Sequence, residues 1–260
     1  MPPLRGYVFY KKALYLLTTV LFMKFCLNRQ TPGSVISGLL LVLTVWGCST
    51  SDSKTDTEKA GPTTSSIPTK PADTARKKVI LFYGNSLTAG YGVEPSQAFP
   101  ALVGQKIDSA GLTYTVVNAG LSGETTAGGK SRISWVMRQP VSVFVLELGG
   151  NDGLRGLPLA ATRQNLQAII DTVRQKSPQA TIVLAGMQIP PNMGTTYTKE
   201  FRSLFTELAD KNNLVLIPFL LEGVGGVASL NQSDGIHPTP AGHKLVANTV
   251  WKTLKPVLMK

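Results

Sequence analysis

Five apolar runs constrain this chain more than any other feature: VILFY (79–83), YTVVN (114–118), VSVFVLEL (141–148), ATIVLAGM (180–187) and NLVLIPF (213–219). They lack the strict polar alternation of a strand with one wet face, so each is expected to be buried on both faces. Helical patterns at 97–109, 125–138, 160–175 and 198–211 lie between them, and a last one follows at 240–254. Strand, crossover helix and strand, repeated, make a parallel sheet covered by helices. The predicted fold class is α/β, a three-layer α/β/α domain on a five-stranded parallel sheet spanning residues 78–260. No internal repeat or second domain interrupts the pattern.

The N-terminal part has a different composition. Residues 1–47 carry five Lys/Arg and no acid, and they end in the apolar stretch SGLLLVLTVWG before Cys48. That stretch has signal-peptide length and is short for a bilayer span. Gly47-Cys48 resembles a bacterial lipoprotein box, in which the cysteine is lipidated and becomes the mature N-terminus. Met23-Lys-Phe-Cys would open a signal of ordinary proportions, so translation is expected to start there. The second apolar patch, ALYLLTTVLF, keeps a membrane-embedded hairpin as the competing reading. Residues 48–77 are rich in Ser, Thr, Asp, Lys and Pro and cannot bury enough apolar surface to offset their ordering entropy. They read as a flexible tether behind a Cys48 anchor. The expected location is the bacterial cell envelope after export, and Ser49 after the cysteine fits delivery to an outer membrane facing the periplasm.

Charge and cysteines exclude several function classes. From Val79 onward the chain has fifteen Lys/Arg against eleven Asp/Glu, too even a balance for a nucleic-acid-binding face. Cys26 and Cys48 are its two cysteines, and neither lies in the predicted domain. No disulfide framework or cysteine-based metal site can be built there.

In an open parallel sheet, ligands bind beyond the carboxyl ends of the strands. Those ends read Gly84-Asn-Ser86, Asn118-Ala-Gly-Leu-Ser-Gly123 and Gly149-Gly-Asn-Asp152, and Asp234-Gly-Ile-His237 precedes the final helix. Ser86 is either a nucleophile or the polar cap of the next helix. A serine enzyme needs an imidazole to take the hydroxyl proton and an acid to orient it. His237 follows Asp234 by three residues, within reach in a turn; His243 lies inside a helical pattern with no acid so placed. Taken alone, a Pro-flanked histidine more often packs or caps. Asn151 can close an Asx-turn or point its amide into a cleft, and Gly123 can simply make a turn. In the functional reading, the Ser86 and Gly123 N–H groups and the Asn151 amide surround a developing oxyanion.

Four blocks, YGNSLTAGYG, NAGLSGETTAGG, LELGGNDGLRG and DGIHPTPAGH, resemble in order those of the SGNH hydrolases, also called GDSL esterases and lipases. The resemblance covers residues 78–260. LELGGNDGLRG, MQIPPNMG and LIPFLLEGV are similar to the branch of secreted arylesterases and acyl-CoA thioesterase/lysophospholipases. It implies a flavodoxin-like fold, Ser86 as nucleophile, His237 as base, Asp234 as orienting acid, and Gly123 with Asn151 beside the Ser86 amide as oxyanion partners. It implies small acyl ester, thioester or lysophospholipid substrates and no metal or organic cofactor. Deacetylation of carbohydrate or peptidoglycan is a second expectation on the same fold, and a noncatalytic binding module a third. One residue departs from the pattern: Asn85 stands where the family usually has Asp, losing a charge and gaining an amide donor.

Overall fold

The computed structural model describes residues 78–260; the signal and tether expected at 1–77, with Cys48, lie outside the described residues. Strands β1 (Lys78–Gly84), β2 (Tyr114–Asn118), β3 (Val143–Glu147), β4 (Thr181–Ala185) and β5 (Val215–Ile217) form one parallel sheet in the order β2-β1-β3-β4-β5. The register sets Ile80 between Val116 and Val143, and Phe82 between Asn118 and Val145.

The two strands at the centre of the chemistry are dry. β3 is buried at every residue and β1 from Ile80 onward, as their apolar runs require, with Glu147 the one acid among them. β2 differs from the expectation. Its Tyr114 and Val116 are half-buried while Thr115, Val117 and Asn118 are exposed. β2 is the sheet edge, and Val116 turns toward Gly104 of helix α2 (Phe99–Ser109), leaving the opposite face open. β5, the other edge, is cut to three residues between Asn213, held left-handed at φ 50°, and Pro218.

The remaining helices are α1 (Ser86–Ala89), α3 (Thr126–Val136), α4 (Gly150–Leu154), α5 (Leu159–Lys176), α6 (Thr195–Asn212) and α7 (Pro240–Leu258). α2 packs on α7, while α3 packs on α5 and α5 on α6, which gives the two helical layers. α6 begins three residues before its predicted start. α7 outruns its predicted end at residue 254, running through Pro256 to Leu258. Thr239 caps α7 by accepting the Gly242 N–H at 3.3 Å, Pro240 sits in its first turn, and Val246, Val250 and Leu254 keep its inner face apolar. Phe82 meets Phe99 edge to face at 5.7 Å between ring centroids, joining the sheet to α2.

This topology decides where a ligand can go. The chain leaves β1 for β2 on one side and returns for β3 on the other, so a crevice opens beyond the carboxyl ends of β1 and β3. Ser86 follows β1 there, and Gly149–Asn151 follow β3.

Candidate active site

Asn85 caps α1, and the Ser86 hydroxyl is thereby left free. The Asn85 Oδ1 accepts the Leu87 N–H at 2.9 Å, so Ser86 is not used as the cap. Gly90, at φ 79°, ends α1 after one turn. Ser86 Oγ lies 2.8 Å from His237 Nε2, and His237 Nδ1 lies 2.7 Å from Asp234 Oδ2. A carboxylate at Nδ1 accepts that hydrogen and leaves the Nε2 lone pair facing the serine hydroxyl. The structure thus brings together Ser86, His237 and Asp234, the first two of them 151 residues apart.

The turn that carries the imidazole is built from backbone bonds. Asn231 and Pro238 form an antiparallel bridge, Gln232 N–H donates to the His237 carbonyl at 2.7 Å, and Gly235 takes φ 71°. Asp234 Oδ1 accepts from the His237 N–H at 3.0 Å and the Ile236 N–H at 2.9 Å. The His237 N–H first, then its imidazole and the Ile236 N–H, hold the Asp234 carboxyl down at about 2. The carboxylate is therefore charged throughout the neutral range. Tyr91, itself exposed, lies against the His237 ring with 4.7 Å between centroids.

Asn151 lines the cleft, half-buried, and one of its amide hydrogens goes to the Glu124 carbonyl at 2.9 Å. The second hydrogen is left for a ligand. Gly123, at φ 79°, is exposed and lies outside the residues that line the cleft; its neighbour Glu124 is what joins it to Asn151. Buried Asp152 accepts the Thr126 N–H at 2.9 Å and its hydroxyl at 2.6 Å, fastening α4 to the start of α3. Arg132 grips the Glu124 carboxylate at 2.8 and 2.5 Å and the Ala119 carbonyl at 2.9 Å. The loop holding Gly123 is thereby fixed from both ends.

The cleft has a volume of about 440 Å³. Ser86, Asn151 and His237 share it with Leu154, Met187, Ile189, Phe219, Leu221 and Ile236. Residues 187–191 border it, and the chain then turns into α6 at Thr195. His243 belongs elsewhere: it is buried in α7, its Nδ1 accepts the Phe99 N–H at 3.2 Å, and burial lowers its pKa to about 4.

Two residues here escaped the sequence reading. Glu147, the last residue of β3, is buried beneath Asn85 and Thr88, and Tyr91 covers the imidazole. Burial pushes the Glu147 carboxyl up to about 7, while hydrogen bonds from Thr88 and Asn85 pull it down. An acid ending an otherwise apolar, doubly buried strand is the signal that could have found Glu147, because such a group must have partners. Nothing in the spacing of Tyr91 marks it.

A hydroxyl, an imidazole and a carboxylate in hydrogen-bonded series at the switch point of a doubly wound sheet define a serine hydrolase of the α/β class. The chain belongs to the GDSL-like lipase/acylhydrolase family, whose profile matches residues 82–245. It is 40% identical over 185 residues to esterase TesA of Pseudomonas aeruginosa, an overlap of 71% of this chain and 91% of that protein. It is 36% identical to thioesterase 1/protease 1/lysophospholipase L1 of Escherichia coli K12, covering 71% of this chain and 86% of the other. Among solved structures, the psychrotrophic esterase EstA from Pseudoalteromonas sp., inhibited by monoethylphosphonate, superposes with a TM-score of 0.66 at 31% identity, over 70% of this chain and 100% of that one. This chain is an ester-hydrolysing enzyme.

Proposed function

We propose that the enzyme hydrolyses esters and thioesters of aliphatic acyl groups, lysophospholipids included, through an acyl-enzyme on Ser86. The observation that carries this reading is the unbroken series from Asp234 through His237 to Ser86 at the mouth of an apolar cleft. His237 takes the Ser86 proton as Oγ attacks the carbonyl. Asp234 stabilises the imidazolium, and the Ser86 and Gly123 N–H groups with the free Asn151 hydrogen receive the oxyanion. His237 then gives the proton to the leaving alcohol or thiol, and water, activated by the same imidazole, releases the acid.

The cleft supports the acyl preference. An acetyl group would leave most of about 440 Å³ unfilled, and each methylene buried against Leu154, Met187 or Ile189 adds about 0.8 kcal/mol, close to fourfold in binding. In a series of p-nitrophenyl esters, kcat/KM is expected to climb by roughly this factor per methylene from acetate until the cleft is full. A maximum at acetate would give the deacetylase reading the better claim. An alkyl phosphonate should leave a single adduct, located on Ser86 by mass spectrometry; an adduct elsewhere would refute the nucleophile.

The same reading extends to an exported lipoprotein anchored through Cys48, with 48–77 as its tether. In a bacterial host, full-length protein should sediment with membranes and incorporate labelled fatty acid, and Cys48→Ser should abolish the label. Labelled Cys48→Ser protein would rule the anchor out.

A further inference from the structure

We infer that Glu147 is a positioning residue for the Ser86 nucleophile, acting through the side chain of Asn85, whose amide is the complement that this buried carboxylate requires. This rests on the hydrolase reading above, and it accounts for the one block position at which the chain departs from the usual pattern.

Glu147 is 1% exposed and ends the central strand β3 next to the end of β1. Among the described residues it forms no ion pair. Three donors meet it instead: Asn85 Nδ2 at 2.6 Å on Oε1, and the Asn85 backbone N–H at 3.0 Å and Thr88 Oγ1 at 2.8 Å on Oε2. All three come from the turn and helix that present Ser86. One carboxylate therefore fixes both the backbone and the side chain of the residue before the nucleophile, and the first turn of the helix behind it. Gly84 leaves the room it needs: a methyl group there would lie 2.5 Å from Oε2 and 2.7 Å from the Glu147 carbonyl.

The orientation of Asn85 is not free. Its Oδ1 is committed to the Leu87 N–H and stands 3.4 Å from Ser86 Oγ, so Nδ2 must face Glu147. This makes the pair directional: the strand-end group accepts at both oxygens, and residue 85 donates at both nitrogens. An aspartate at position 85 would put an oxygen where Nδ2 stands, against Oε1, and two facing carboxyls fit there only by sharing a proton. Asn85 removes that need.

The directionality yields a test with a sign. In Glu147→Gln, the new amide must turn its NH2 either toward Asn85 Nδ2 or toward the Asn85 N–H. Either way two donors face each other, and the turn under Ser86 must shift. In the Asn85→Asp background the same change is harmless: the introduced glutamine amide donates to the introduced aspartate, and its oxygen keeps the backbone N–H and the Thr88 hydroxyl.

Four full-length proteins decide the matter: the parent, Glu147→Gln, Asn85→Asp and the double variant, each measured for p-nitrophenyl ester hydrolysis and for melting temperature. Glu147→Gln should lower kcat about tenfold or more when Asn85 is present, as a displaced nucleophile does, with KM changed by less than about twofold because the acyl cleft is untouched. In the Asn85→Asp background it should change kcat by less than about twofold. An equal loss in both backgrounds, or full kcat in folded Glu147→Gln, would overturn the proposal, and so would a shift confined to melting temperature. Should Glu147→Gln fail to fold beside Asn85, a folded and active double variant would still support the pairing, and an unfolded one would overturn it. A parent without turnover would instead sink the hydrolase reading, and the melting temperatures would still reveal whether the two positions are coupled.

Discussion

Replacing His237 with Ala is expected to lower kcat for ester hydrolysis by about 10⁴- to 10⁶-fold while leaving the domain folded. The size follows from what the ring does in the series. Without Nε2 at 2.8 Å, the Ser86 hydroxyl keeps its proton and attacks as a neutral alcohol, and the leaving group departs without a general acid. Any residual rate then comes from the oxyanion donors and from binding. Stability should change little, because the imidazole is partly exposed on a surface turn and holds no core position. The turn itself is closed by the Asn231–Pro238 bridge and by Gln232, none of which needs the ring.

Asp234 fixes the pH range over which this comparison is clean. Its carboxyl pKa is lowered from 3.8 to about 2, chiefly by the His237 backbone N–H. For an acid with a depressed folded pKa, the stabilising contribution is present above 3.8 and is lost as pH falls through about 2. Acidification to about pH 5 leaves the orienting charge in place. Steady-state kinetics between about pH 6 and 8, with circular dichroism of both proteins, check the expectation. A folded His237→Ala variant within tenfold of the parent would rule out general-base catalysis by this ring.

Much of this was legible because the relevant groups lie close in sequence or at strand ends. Asp234 and His237 are three residues apart in one turn, so their pairing could be read locally. Ser86 could be placed on the same edge because a parallel sheet sends every strand's carboxyl end to one side. What could not be read was anything set by the third dimension across strands. Glu147 stood as one more residue of an apolar run, because its partners lie 62 and 59 positions away on the turn after β1. Asn85 could be read as losing a charge and gaining an amide donor, but not as facing a buried acid with that donor. β2 looked doubly buried from composition, since only the strand order reveals which run becomes an edge. Ser86 could be read as the helix cap as readily as a nucleophile, since serine caps helices well; that Asn85 takes the cap shows only in its bond from the Leu87 N–H.

Asn151→Ala is expected to lower kcat by about a hundredfold or more, with little change in KM. Its amide has two hydrogens, and the structure separates their duties. One goes to the Glu124 carbonyl and fixes the side chain against the loop that carries Gly123. The other is free in the cleft that Ser86 and His237 share. A ground-state carbonyl asks less of that donor than the oxyanion does, so the loss falls on the transition state and appears in kcat. Asp152 beside it is the control position, because it fastens α4 to α3 through Thr126 without lining the cleft. Damage there would loosen the whole loop and register in melting temperature as well as rate. Asn151→Ala should leave the Asp152–Thr126 bonds intact and melt within a few degrees of the parent. Kinetics on one p-nitrophenyl ester, set beside thermal unfolding of the same samples, separate the outcomes. A rise in KM with unchanged kcat would assign Asn151 to substrate binding and leave the oxyanion to the two backbone donors.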